Sequence, residues 1–477
     1  MNILSHPILV VLAVCAAGAF LIAFKPQRHP ALLLPLLILL LFALPRAGLS
    51  VQSIRLPLPL AHGLCALLIL EWLILRPARH LEPHARFGRY FLAYAAIAGF
   101  ALAMGLSQDN MPAITFIELC LYLFSMGLFF YTSDTFSRRE DFLRCIRWLL
   151  ATAVCVSLYG LAQLRWGAAI LIPNITYTTG GSTLSRTYVE TGELETTRVL
   201  SSYGDPNVLA SQLLVFAAIG LAILLPKRLP VAWRFTGLVV LALSSACIWA
   251  TGSRAAIIGM ALAVAVIILW HNRWFVLLIP TLAALVILAL GLTWLDSLNA
   301  WYDQLASSND VRFQFPRMLW ELTQAVPLGC GFGRTLVFND PATSWSYSIV
   351  PTGVVWGGFN SFWLNLYCRI GLPGVLAFSG VLAVIFHFIW TRSRHADHPL
   401  AQAALVGLAA GFVGQWFIWL ANNTYMLPGG GLNFWFLYGI AVAGARAFAP
   451  ELRPVPLVAP AANFPFPAAA ATPMPPR

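Results

Sequence analysis

Apolar residues in this chain run on without a break, where a soluble helix or strand would space them out. Stretches rich in Leu, Ala, Val and Ile fall at approximately 7–24, 31–45, 57–75, 88–106, 112–132, 146–171, 207–225, 232–251, 255–270, 274–295, 362–390, 399–420 and 431–449. Most reach the roughly 20 residues that a helix needs to cross the hydrocarbon of a bilayer. Barrel strands would instead alternate apolar and polar positions in segments of about 10 residues, and these runs do not. The pattern predicts an all-α polytopic membrane protein with about 12–13 transmembrane helices. The second run is short and bracketed by Pro30 and Pro45, which makes it a candidate re-entrant segment and leaves the count open by one.

Two long polar intervals interrupt the pattern. Pro173 to Asp205 alternates Thr, Tyr and Val with polar residues around Gly180-Gly181, and predicts a β-hairpin. Leu295 to Phe359 is the largest interval. Within it Phe315, Met318, Leu319, Leu322 and Val326 recur at helical spacing, with Pro316 suited to a first turn, up to a break at Pro327-Leu-Gly-Cys-Gly-Phe-Gly333. The chain divides into N-terminal helices (1–145), a membrane core with its two loops near 173–205 and 295–359 (146–449), and a Pro/Ala-rich tail (450–477) expected to be disordered.

Composition agrees with the run pattern. Hydrophobic residues make up 59% and charged residues only 10%, against the roughly 25% charge of a soluble domain. A formal charge of +11 raises the question of nucleic acid. However, most of the cations sit in short loops, and no basic amphipathic run or nucleic-acid motif is present. The basic loops Arg76–Arg89, Arg138–Arg147, Lys227–Arg234 and Arg392–Arg394 all fall on one side when the spans alternate. That side is the expected cytoplasm. Both long intervals are then exported. Most of the cysteines lie in apolar runs and the long loop has only Cys330, so neither a disulfide framework nor a zinc site is expected. No Lys or Arg precedes the first run, so Pro7–Phe24 reads as a membrane helix and not a cleavable signal peptide.

Polar residues at the ends of membrane helices are costly and therefore informative. Four places stand out, all on the exported side. Arg198-Val-Leu-Ser-Ser-Tyr-Gly-Asp205-Pro-Asn207 leads into a helix: Asp205 and Pro206 suit a cap, and a helix N-terminus beside Arg198 suits a phosphate. Thr251-Gly-Ser-Arg254 is a tight turn in which Arg254 is either an interfacial anchor or an anion ligand. Arg312, Arg317 and Arg334 surround the loop helix and its glycine turn, with forks matched to phosphate. Asn360 begins a span as a candidate cap. Phe362 and Trp363 follow as interface aromatics or a stacking platform for sugars, and Arg369 lies about two turns further in. No P-loop, Rossmann glycine pattern or metalloprotease motif occurs, and no histidine lies between His271 and His387.

These segments, RVLSSYGDPNVLASQL (198–213), TGSRAAIIGMAL (251–262), RFQFPRMLWELTQAVPLGCGFG (312–333) and FNSFWLNLYCRIGLPG (359–374), together resemble the O-antigen ligase/polymerase family. The resemblance covers roughly 145–445. It implies a GT-C-like membrane glycosyltransferase bundle in the bacterial inner membrane. Its site would face the periplasm and act on undecaprenyl-diphosphate-linked glycan without a metal, nucleotide sugar or other cofactor. Arg254 and Arg312 would meet the diphosphate, and Asn360 completes the catalytic set. Arg198, Asp205, Asn207, Arg317, Arg334 and Arg369 are the expected substrate-binding residues. The expected protein partners are a flippase and a chain-length regulator, with no nucleic acid.

Ligases of this family usually carry a His where Phe359 stands, and many members carry an acidic residue where Arg369 stands. The first departure favours a polymerase of surface polysaccharide over a ligase to lipid A core or protein. The competing class is a small-anion, bicarbonate-like transporter, which would need ionisable or unwound sites near mid-membrane.

Overall fold

In the computed structural model the described residues are 30–44, 48–51, 56–75, 85–108, 112–166, 177–179, 182–184, 198–271, 320, 322–324, 326–338, 347–351, 361–425 and 430–449. The expected spans 7–24 and 274–295, the tail, and most of the 295–359 loop lie outside them. The fold is all-α and polytopic. Its helices are α1 (Pro30–Ile38, extended by a π-turn over Leu39–Ala43), α2 (Leu60–Leu75), α3 (Ala85–Gln108), α4 (Pro112–Thr135), α5 (Arg139–Trp166) and α6 (Pro206–Leu224). They continue with α7 (Val231–Thr251), α8 (Arg254–His271), α9 (Phe362–Ser393), α10 (Pro399–Ala421) and α11 (Gly431–Phe448). Among the described residues seven helices, α3 and α5 to α10, are long and apolar enough to cross a membrane.

Three two-stranded antiparallel hairpins sit in the connections. They are β1 (Gly48–Val51) with β2 (Leu56–Pro59), β3 (Tyr177–Thr179) with β4 (Ser182–Leu184), and β5 (Arg334–Phe338) with β6 (Tyr347–Pro351). The second is the hairpin expected from the Gly180-Gly181 signal, with Thr178 opposite Thr183. α5 starts seven residues before its apolar run. Glu140 and Asp141 occupy its first turn, where negative charge meets the positive end of the helix dipole.

The bundle centre follows from burial. In their most apolar windows α6 is 83% and α10 is 78% buried, against 28% for α7 and 22% for α8. α6 and α10 are therefore wrapped by other helices, whereas α7 and α8 turn Phe235, Trp249 and Ile258 outward. In lipid no hydrophobic effect drives helices together, so close packing must. A Cβ on Gly220 would lie 2.8 Å from Gly237 O, and one on Gly414 would lie 2.7 Å from Gly259 O. These glycines let α6 meet α7, and α8 meet α10, backbone to backbone.

The two ends of the bundle differ. At one end Arg139 donates to Ala447 O (2.9 Å) and pairs with Asp397 (2.6 Å), and Asp397 N donates to Phe448 O (3.1 Å). This gathers the start of α5, the α9–α10 turn and the end of α11 at the basic end predicted from loop charge. The opposite end joins the end of α5, the segment before α6, and the α7–α8 turn.

Candidate functional site

The opposite end is built around residues 198–207. Asp205 is extended and caps α6: its Oδ1 accepts from Asn207 N (2.8 Å) and Val208 N (3.0 Å), with Pro206 in the first turn. The capping expectation holds. The expectation that these N–H groups stand open for phosphate does not, because the Asp205 carboxylate takes them. Asn207 turns its side chain back, and its Oδ1 accepts from the Arg198 guanidinium at 3.5 Å.

Arg198 is thereby laid across the α7–α8 turn. Its Nε donates to Thr251 O (2.7 Å), and Val199 N donates to Ala250 O (3.2 Å). Both acceptors are C-terminal carbonyls of α7, which carry the negative end of the helix dipole. Gly252 has φ +64° and ends the helix in the left-handed region, which glycine adopts without Cβ strain. The near neighbour of Gly252 is the Arg198 side chain, whose Nε lies 3.5 Å from where a Cβ would stand.

Two residues on, Arg254 opens α8 and is exposed. Between them the Ser253 side chain is buried, and its Oγ has no hydrogen-bond partner among the described residues. The turn thus carries the bound Arg198 guanidinium on Thr251 O, the Ser253 hydroxyl and, as the first residue of α8, Arg254.

A second group lies where the glycine turn meets α9. That helix is broken at Gly371 (φ 64°, ψ −171°), with Pro373 just beyond. The turn supplies the partners that the break removes. Cys330 N donates to Cys368 O (2.7 Å), Gly331 N to Arg369 O (3.1 Å), and Leu372 N to Pro327 O (3.0 Å). On its other side Phe332 N donates to Ala101 O of α3 (3.3 Å). Irregular backbone survives at membrane depth only when protein satisfies it, and the glycine turn does so.

Arg369 lies at this break and is buried, 5% exposed. Its Nη1 donates to Asn365 O (3.1 Å) and Asn365 Oδ1 (3.3 Å), and Asn365 Nδ2 donates to Ser361 O (2.8 Å). Arg334 begins β5 directly after the turn.

Asn360 was expected to cap α9, but the cap is Ser361, whose Oγ accepts from Leu364 N at 3.4 Å. Phe362 and Trp363 form no open platform. They are buried, and Phe362 packs against Tyr425 (4.5 Å between ring centroids) and Trp419 (5.2 Å). The structure therefore brings Arg198, Asp205, Asn207 and Arg254 together, and places Arg334 and Arg369 in the second group. Arg312, Arg317 and Asn360 lie outside the described residues.

Two residues at these sites escaped sequence reasoning. Asn365 had a signal: Ser361, Asn365 and Arg369 recur every four residues and make one polar stripe in an apolar helix. Gln163, near the end of α5, binds the backbone of residues 200–201.

Residues 238–379 match the O-antigen ligase family. The match agrees with the resemblance read from the sequence and supports a membrane enzyme of the O-antigen ligase/polymerase type; proteins of that family act on lipid-linked glycan. It runs from α7 into α9 and so contains Arg254, the glycine turn and Arg369. It stops short of Arg198 and Asn207, which join the site through the structure. No curated protein matches the chain.

Proposed function

We propose that this O-antigen ligase-like protein polymerises undecaprenyl-diphosphate-linked repeat units of a surface polysaccharide at the periplasmic face of the inner membrane. The observation that carries the reading is the α7–α8 turn, where the Arg198 guanidinium is held on Thr251 O, three residues before the exposed Arg254 that opens α8. A hydroxyl of the acceptor sugar attacks the anomeric carbon of the donor. The bond from that carbon to the diphosphate oxygen breaks, and the electron pair leaves with undecaprenyl diphosphate. Fixed guanidinium charge in a partly dry site meets the negative charge that develops on the leaving group. Arg312 and Asn360 complete the catalytic set in this reading, with Arg317, Arg334 and Arg369 binding substrate. The proton of the hydroxyl passes to a carboxylate. The outer carboxylates in the sequence are Asp205, Asp310, Glu321 and Asp340; with Asp205 committed to its cap, the three of the 295–359 loop are the candidates.

Phe359, in place of the His usual in ligases, favours polymerisation over ligation to lipid A core or protein. Among the described residues the broken α9 is the feature that speaks for a transporter, since transporters coordinate ions with unwound backbone. Here Cys330 and Gly331 donate to the freed carbonyls of residues 368 and 369, which supports a structural role for the break. Arg254→Ala is the test: polymer should disappear on gels while inserted protein persists. Normal polymer from that strain would refute the assignment.

A further inference from the structure

Gln163 grips two consecutive residues of the loop that carries Arg198. Its Oε1 accepts from Leu200 N (3.2 Å) and Ser201 N (2.7 Å), and its Nε2 donates to Ser201 O (3.4 Å). A primary amide is the side chain that offers acceptor and donor from one planar end, so it can read a peptide in this way.

The segment it holds is strained. Ser201 has φ +47°, the one positive φ outside glycine among the described residues, and a residue with a Cβ takes up that region at a cost in free energy. Such a conformation persists only where its surroundings over-determine it. A second tether, Ser201 Oγ to Val156 O (3.0 Å), comes from two turns earlier on the same helix. Gly160 lies between the two tethers. A Cβ there would stand 2.9 Å from Val199 Cγ1 and 2.8 Å from Cys247 Sγ, so its absence lets the loop lie down on α5.

The loop continues from this clamp straight to the site. Val199 is tied to Ala250 O, and Arg198 crosses to Thr251 O and Asn207. The strained turn is thus the link through which α5 fixes where the Arg198 guanidinium lies.

We propose that Gln163 is a positioning residue of this site: it sets the backbone of Leu200 and Ser201 and so aims Arg198 at the diphosphate of the lipid-linked donor. The inference rests on the reading of the arginine turn as the diphosphate site. It identifies α5, which lies outside the matched family region, as part of the binding machinery.

The test uses the purified full chain in detergent with undecaprenyl diphosphate as probe, comparing Gln163→Leu, Gln163→Glu, Arg198→Ala, Arg254→Ala and the Gln163→Leu/Arg198→Ala double variant. Melting temperature confirms that each is folded. Gln163→Leu should weaken binding about tenfold, whereas Gln163→Glu, which keeps the acceptor, should stay within about threefold of the parent. In the Arg198→Ala background Gln163→Leu should cost less than about twofold more, because groups that act through one another are not additive. A purely structural role predicts the same factor in both backgrounds, and that result overturns the inference. If Gln163→Leu does not fold, Gln163→Glu decides, with a tenfold loss counting against it. Unchanged binding in both Arg198→Ala and Arg254→Ala would instead refute the diphosphate site itself.

Discussion

The Arg198 guanidinium closes the end of α7 by donating from Nε to Thr251 O at 2.7 Å, while its Nη2 reaches Asn207 Oδ1 at 3.5 Å. One side chain therefore binds two helices at once. Lysine keeps the charge but presents it as a point, without a planar fork of donors. Arg198→Lys should therefore lower polymer yield well beyond what charge alone predicts, and Arg198→Ala should abolish it. Gel profiles normalised to protein level measure both. Equal activity for Lys and Arg would mean that only the charge matters.

Gly252 tests the same corner through the backbone. At φ +64° an alanine is strained, although its Cβ would meet only ordinary contact with Arg198. Gly252→Ala should cost about 1 kcal/mol of stability. The melting temperature in detergent should fall by a few degrees, with reduced polymer in cells. A melting temperature at or above the parent's would show that the turn tolerates a side chain.

The parts of this fold legible in the sequence are those that lipid imposes. Unbroken apolar runs become helices because the bilayer offers no other partner for the backbone, and the Asp205-Pro206 cap is a local signal read locally. The glycine turn was visible as a break after Val326, and Arg369 as a costly charge, yet nothing in either segment said that they meet. That pairing spans some forty residues and rests on backbone bonds such as Cys330 N to Cys368 O. The backbone bonds every residue supplies, whatever its side chain, leave no mark on composition. The grip of Gln163 was hidden for the same reason, since its partners are the peptide groups of residues 200 and 201.

The basic end provides a contrast. Arg139 and Asp397 pair at 2.6 Å, but their side chains are 54% and 44% exposed. Exposed pairs gain little because solvent screens them and holding two side chains in one geometry costs entropy. Asp397→Asn should therefore change stability by well under about 1 kcal/mol and leave polymer length and yield at parental levels. A clear loss of polymer would mean that this end takes part in function.

The glycine wedge makes the strongest structural prediction. Gly329 has φ +78°, and a Cβ on it would lie 2.6 Å from Gly371 N and 2.8 Å from Arg369 O. Backbone cannot yield there as a flexible side chain would, because those groups belong to the break that the turn fills. Gly329→Ala should push the turn out of α9, at a cost of about 1–3 kcal/mol from overpacking in addition to the strain. Two buried thiols report the event, since Cys330 and Cys368 lie against the turn at 4% and 0% exposure. In the parent protein both should resist maleimide, and in Gly329→Ala both should be modified, as read by mass spectrometry of their peptides. The displaced turn would also leave the 368 and 369 carbonyls unpaired beside Arg369, so polymer formation should fall further than in Gly252→Ala. Thiols that stay protected in a folded Gly329→Ala protein would show that α9 keeps its break without the wedge.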